Sequence, residues 1–179
     1  MNRYDWLNGY LLSKPGATTD FKIEWQWQRY QVGSRLFAAT LCPGAHYSAE
    51  YAGRNLLTLK CDPMLAELYR REHPEVLPGF YTDKRCWNSI DLGGTLPDSL
   101  LRQMIDESYR LVFGTLTKKM QRELLAGTAR ARRETGGFYA ADFTGCGSAA
   151  QGGGPLHCGV LRRLLDALCP ARPGVSGLF

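Results

Sequence analysis

Nowhere in this 179-residue chain do apolar residues run on for the ~20 positions that a membrane helix needs. The opening Met1-Asn2-Arg3-Tyr4-Asp5 lacks the basic-then-apolar pattern of a secretory signal, so a cytoplasmic location is expected and no membrane role is. Histidine is scarce, and His46, His73 and His157 lie far apart. The six cysteines (Cys42, Cys61, Cys86, Cys146, Cys158 and Cys169) include no Cys-x-x-Cys pair. Zinc spacing and a disulfide framework are therefore missing, and the cysteines read as reduced thiols packed as small hydrophobes. Gly152-Gly153-Gly154 has neither the lysine and Ser/Thr of a phosphate-binding loop nor a strand before it. No metal and no cofactor are expected.

Excess charge is also small. The formal charge is +5, split unevenly: residues 1–125 hold 16 Lys/Arg against 14 Asp/Glu, and residues 126–179 hold 6 Arg against 3 acids. A strongly basic nucleic-acid module is excluded for the first part, so any basic groups used there must gather on one face.

What is present centres on residues 56–92. Leu56, Leu57 and Leu59 make a short apolar strand, ended by Asp62-Pro63. Asp62 suits a helix N-cap and Pro63 the first helical position, where a missing N–H costs nothing. Met64, Leu65, Leu68 and Tyr69 continue at helical spacing until His73-Pro74, because a residue before proline is pushed out of the α region. Pro78-Gly79 is a turn. Phe80, Tyr81, Trp87 and Ile90 are expected in two short extended pieces around Asp83-Lys84-Arg85.

Around that centre, Tyr4, Leu7, Tyr10 and Leu11 predict a helix over 4–13, stopped by Lys14-Pro15-Gly16. Phe21, Ile23, Trp25, Trp27, Tyr30 and Val32 alternate with polar residues and predict one strand, irregular near Glu24. Gly33-Ser34 is a two-residue hairpin turn into a second strand at 35–41, followed by a polar loop at 42–55. Pro97-Asp98 opens a helix with a broad apolar face from Leu100 to Phe113, and a basic helical piece runs from Leu116 to Leu125. The order α-β-β-β-α-β-β-α-α predicts a two-layer α+β domain, a five-stranded antiparallel sheet with helices on one face. Residues 126–179 hold 11 of the 20 glycines and Arg130, Arg132 and Arg133. They read as a Gly/Arg-rich, disordered extension, relieved by a helical stripe from Val160 to Leu168. The domain is expected to end near Leu125.

Several of these residues carry a family likeness. Leu59-Lys60-Cys61-Asp62-Pro63, Pro78-Gly79-Phe80-Tyr81, Lys84, Trp87-Asn88-Ser89 and Gly94-Thr95-Leu96-Pro97-Asp98 resemble the MmcQ/YjbR family of small bacterial proteins. Lys14-Pro15-Gly16 and Asp106-Glu107-Ser108-Tyr109 match the same pattern, and the likeness spans roughly residues 3–125. The resemblance implies a CyaY-like fold and DNA binding through a "double wing" surface. It also brings frataxin-like iron binding to mind, which needs carboxylates on the first helix; only Asp5 is there.

Catalysis finds little support. Cys61-Asp62 and Cys42…His46 are the nearest approaches to a nucleophile site, and neither has a third orienting group. The DNA reading rests on Lys14, Lys60, Lys84, Arg85, Lys118 and Lys119, with the aromatics Tyr81 and Trp87. Cations contact phosphates, and an exposed aromatic stacks on a base or wedges into a groove. The competing reading makes Tyr81 and Trp87 core residues and the lysines merely solubilising. A third makes the domain a chaperone-like module for a protein partner. The expectation taken forward is a monomeric, non-catalytic protein that binds DNA with low sequence specificity.

Overall fold

The computed structural model describes residues 3–136. The elements are α1 (Leu7–Leu12), β1 (Ala17–Lys22), β2 (Trp27–Val32), β3 (Arg35–Leu41), β4 (Leu56–Lys60), α2 (Pro63–Glu72), β5 (Val76–Pro78), β6 (Trp87–Asp91), α3 (Asp98–Gly114) and α4 (Lys118–Gly136). The strands form one antiparallel sheet in the order β1-β2-β3-β4-β6-β5. The α+β class stands, but the sheet has six strands where five were expected.

The extra strand comes from the segment read as a single strand between Phe21 and Val32. It is a hairpin, with β1 and β2 joined through residues 23–26. Gln26 turns the chain with a φ of 56°, and its side-chain amide donates to the Ile23 carbonyl at 2.8 Å. Apolar alternation ran straight through this turn because Ile23 and Trp25 are surface residues, 72% and 60% exposed. At the next turn Gly33 and Ser34 both have positive φ, 54° and 62°, the mirror-image geometry that matches the twist of a two-residue hairpin.

The centre of the chain also differs. α2 starts as its sequence dictates: the Asp62 carboxylate accepts from the Met64 N–H at 2.9 Å and Pro63 opens the helix. His73 leaves it in an extended conformation, as its proline neighbour requires. The following strand is Val76–Pro78, however, and Phe80 and Tyr81 belong to a loop that returns to β6. Tyr81 has a φ of 51°, which no strand residue adopts. At the other end, α4 passes through Leu125 without a break and reaches Gly136. The Val160–Leu168 stripe lies outside the described residues.

Two cores result. Between sheet and helices, Tyr4, Leu7 and Leu11 pack with Tyr30, Phe37, Leu57, Leu59 and Ile90 of the sheet and Leu101, Met104, Ile105 and Val112 of α3. The other face of the sheet carries a smaller core of Trp27, Ala39, Leu41, Tyr51, Leu56 and Phe80, with Tyr47 packed against it. Tyr47 and Tyr51 come from the 42–55 loop and Phe80 from the loop after β5. Helices thus cover one face and two loops the other.

Candidate nucleic-acid interface

Strand alternation decides which side chains reach the loop-covered face. Leu57 and Leu59 of β4 enter the helix-side core, so Leu56, Thr58 and Lys60 point the other way. On β6, Trp87 and Ser89 lie opposite Lys60 and Thr58 across the strand pair. The Lys60 ammonium sits 5.3 Å from the centre of the Trp87 ring and 3.8 Å from the Cys86 sulfur. Its backbone is anchored from the helix side: the Lys60 N–H donates to the Ser108 hydroxyl at 2.8 Å, and that hydroxyl donates to the Phe37 carbonyl. Ser108 is fully buried, so it fixes the end of β4 against α3.

The loop of residues 79–86 joins β5 to β6 and is tied down at both ends. The Gly79 N–H donates to the Trp87 carbonyl at 3.0 Å, and the Phe80 N–H donates to the Ser89 hydroxyl at 2.9 Å. Ser89 is itself bonded to the Thr58 hydroxyl at 2.8 Å. Farther along, the Cys61 N–H reaches the Cys86 carbonyl at 2.9 Å, and the Arg70 guanidinium of α2 donates to the Lys84 carbonyl at 2.7 Å. Gly79 is required here, because a Cβ would lie 2.8 Å from that of Trp87 and collide with the Thr82 hydroxyl. The outcome is a loop anchored at both ends that lifts Tyr81 into solvent, 74% exposed. Its ring meets Tyr47 edge-on at 5.7 Å and Phe80 at 4.8 Å, and His46 lies 4.0 Å from Tyr47. The hydrogen bond with Tyr81 pushes the Tyr47 phenol above its ordinary pKa.

The residues expected at the site separate into two groups. Lys60, Tyr81, Lys84, Arg85 and Trp87 come together, on one loop and the adjoining strand pair. Arg85, however, is matched by Asp83, which it contacts through two nitrogens at 3.0 and 3.2 Å. Those hydrogen bonds hold the Asp83 carboxyl down at about 2, so the pair contributes no net charge at neutral pH. Lys84 is exposed and has no ion-pair partner among the described residues. Trp87 is half-buried, between the core and contact readings. The second group lies on the helix layer. The Lys14 ammonium sits 2.5 Å from Asp106 and 3.8 Å from the Tyr10 ring centre, with its side chain only 15% exposed. Lys118 and Lys119 open α4, whose start packs by the Gly33 turn through Leu116 and Met120.

Sequence reading missed Tyr47 and Arg70, and considered His46 only beside Cys42. Tyr47 and His46 sit in a segment whose glycines and polar residues mark only a loop, and Arg70 reads as a routine basic residue in a helix's last turn. The Cys61 thiol is buried and pushed up to about 11, mainly by desolvation, which disfavours the reactive thiolate. Among the described residues, no group of three or more His, Cys, Asp or Glu is placed to hold a metal ion.

Such a chain is a small α+β protein whose sheet is covered by helices on one side and by two aromatic-bearing loops on the other. The YjbR family model matches residues 12–111, and the chain belongs to the YjbR family. It is 31% identical over 116 residues to the uncharacterized protein YjbR of Escherichia coli K12, covering 65% of this chain and 92% of that one. It is 35% identical over 57 residues to the uncharacterized protein YyaQ of Bacillus subtilis 168, covering 32% and 48% respectively. A crystal structure of a Deinococcus radiodurans protein of the DUF419 domain is similar at a TM-score of 0.57 and 28% identity, covering 69% of this chain and 88% of that one. A Pseudomonas syringae protein of known structure shares the fold at a TM-score of 0.53 and 20% identity, covering 63% and 99%.

Proposed function

We propose that the protein binds DNA with little sequence specificity, through the loop-covered face rather than the helix layer. The observation that carries this reading is the juxtaposition of the Lys60–Trp87 pair with an anchored loop bearing Lys84 and the exposed Tyr81. Lysines there contact phosphates, which carry no sequence information. With Arg85 balanced by Asp83, the candidate cations that this face offers the backbone are Lys60 and Lys84, and affinity falls at the non-specific end, micromolar or weaker. No catalytic step belongs to this reading.

The test is a titration of labelled duplex DNA with the full chain at several salt concentrations. Replacing Lys60 by Met, which keeps an unbranched apolar side chain beside Trp87, and Lys84 by Ala removes two phosphate contacts. The log–log salt slope then flattens by about 1.8, from the factor of about 0.9 per phosphate. Any residual slope comes from basic residues elsewhere, Lys118, Lys119, Arg130, Arg132 and Arg133 included. An unchanged slope and affinity in the double variant would remove this face from DNA binding. One observation favours a second reading, a protein-interaction module: Met64, Leu65 and Leu68 form an exposed apolar stripe on α2, with Met64 83% exposed. Absence of any salt-dependent DNA binding by the full chain would put that reading first.

A further inference from the structure

Tyr81 is an uncommon residue in an uncommon state. A bulky side chain at φ 51° is strained, and the strain is maintained by hydrogen bonds on both sides of it. The next residue, Thr82, has a buried hydroxyl without a hydrogen-bond partner among the described residues. A loop that only closed a turn would carry glycine or asparagine at the strained position and leave no polar group stranded. Here the strain holds a phenol ring out in water, 74% exposed and braced by Tyr47 and Phe80. His46 and Tyr47 extend the row of rings, while Lys84 follows three positions later on the same loop.

We infer that Tyr81, supported by Tyr47, is a stacking platform for an unpaired base, so that the preferred ligand is single-stranded nucleic acid rather than duplex. This deepens the DNA-binding reading and rests on it. The electrostatics point the same way. Two available cations form a weak phosphate track, whereas each stacked base adds sequence-tolerant affinity of its own because every base presents a flat ring. In a duplex those ring faces are occupied by neighbouring bases. A platform therefore discriminates against paired DNA without reading any base edge.

The experiment compares three labelled probes of equal length with the full chain: an oligothymidylate, an oligomer of the same backbone with abasic sugars, and a duplex. The oligothymidylate is expected to bind about tenfold or more tighter than the abasic oligomer, and tighter than the duplex. Replacing Tyr81 by Gly, which adopts φ 51° without strain, should abolish the preference over the abasic oligomer and leave the salt slope unchanged. Tyr81→Trp should keep the preference. Equal binding of oligothymidylate and abasic oligomer would overturn the platform while leaving phosphate-based DNA binding in place. No binding of any probe would overturn both. A preference that persists in Tyr81→Gly would overturn the assignment to this residue.

Discussion

Single residues on the loop-covered face show how much of the site is bought at the expense of stability. Tyr81 is the clearest case, because its conformation costs energy and its exposed ring recovers little by burial. Release of left-handed strain is worth roughly 1–3 kcal/mol. Against it stand the added chain entropy of glycine, about 0.4–1 kcal/mol, and the lost contacts to Tyr47 and Phe80. Tyr81→Gly is therefore expected to change the unfolding free energy by less than about 1 kcal/mol, read from the urea midpoint, while the preference for the oligothymidylate over the abasic oligomer is lost. A drop of more than about 2 kcal/mol would make the ring a structural residue. The sequence could place Tyr81 beside Lys84 and Trp87, since neighbours in sequence stay neighbours in a short loop. It could not show that Tyr81 is exposed while Phe80, the very next residue, is buried. That difference comes from the Phe80 N–H bond to Ser89 on a strand whose register no local pattern states.

At the scale of elements, helices were the most legible and hairpins the least. The Asp62-Pro63 start and His73-Pro74 stop of α2 follow from local chemistry alone, with the N-cap hydrogen bond in place. The β1–β2 turn was hidden because Ile23 and Trp25 keep the alternation going where the chain reverses, and only the positive φ of Gln26 marks the reversal. The boundary of β5 was displaced for a related reason: Phe80 is apolar and buried, yet it is held by a loop and not by a ladder. The 79–86 loop behaves as one unit pinned at Gly79 and Cys86. Gly79→Ala should force Thr82 and Trp87 to move, at a cost of roughly 1–3 kcal/mol as for other overpacked sites. The accompanying change should be weaker DNA binding even where the variant remains folded, with the displacement of Trp87 visible as a change in tryptophan fluorescence that Trp87→Phe abolishes. Unchanged stability with full binding would mean that the loop is looser than its hydrogen bonds imply.

Over the whole molecule, the sheet divides the labour. The helix-side core joins sheet to helices, and the smaller core on the other face holds two loops in position. The α+β class was legible, because helix caps and apolar runs are local, and so was the nearness of the candidate residues Tyr81, Lys84 and Trp87 on one short segment. The second core was not, because it joins residues as distant as Trp27, Tyr51 and Phe80. The buried groups also set how stability responds to alkali. Burial raises the Tyr30 phenol from 10.0 to about 12 and the Cys61 thiol from 9.0 to about 11. Both are neutral when protonated and prefer to stay so when folded, so their stabilisation is complete below about pH 9 and is lost as pH rises from 9 towards 12. Tyr30, almost wholly buried, accounts for a loss on the order of 2 kcal/mol across that range. Tyr30→Phe should flatten the decline in urea midpoint between pH 10 and 12, and an equally steep decline would assign it to other groups. The central claim, that the loop-covered face is the one that meets nucleic acid, is tested most directly by backbone amide NMR of the full chain titrated with a short single-stranded oligonucleotide. Shifts are expected at residues 79–87, at Lys60 and at His46 and Tyr47, with little change along α1 and α3. Shifts concentrated on α1 and α3, or confined to the arginines beyond residue 129, would contradict it.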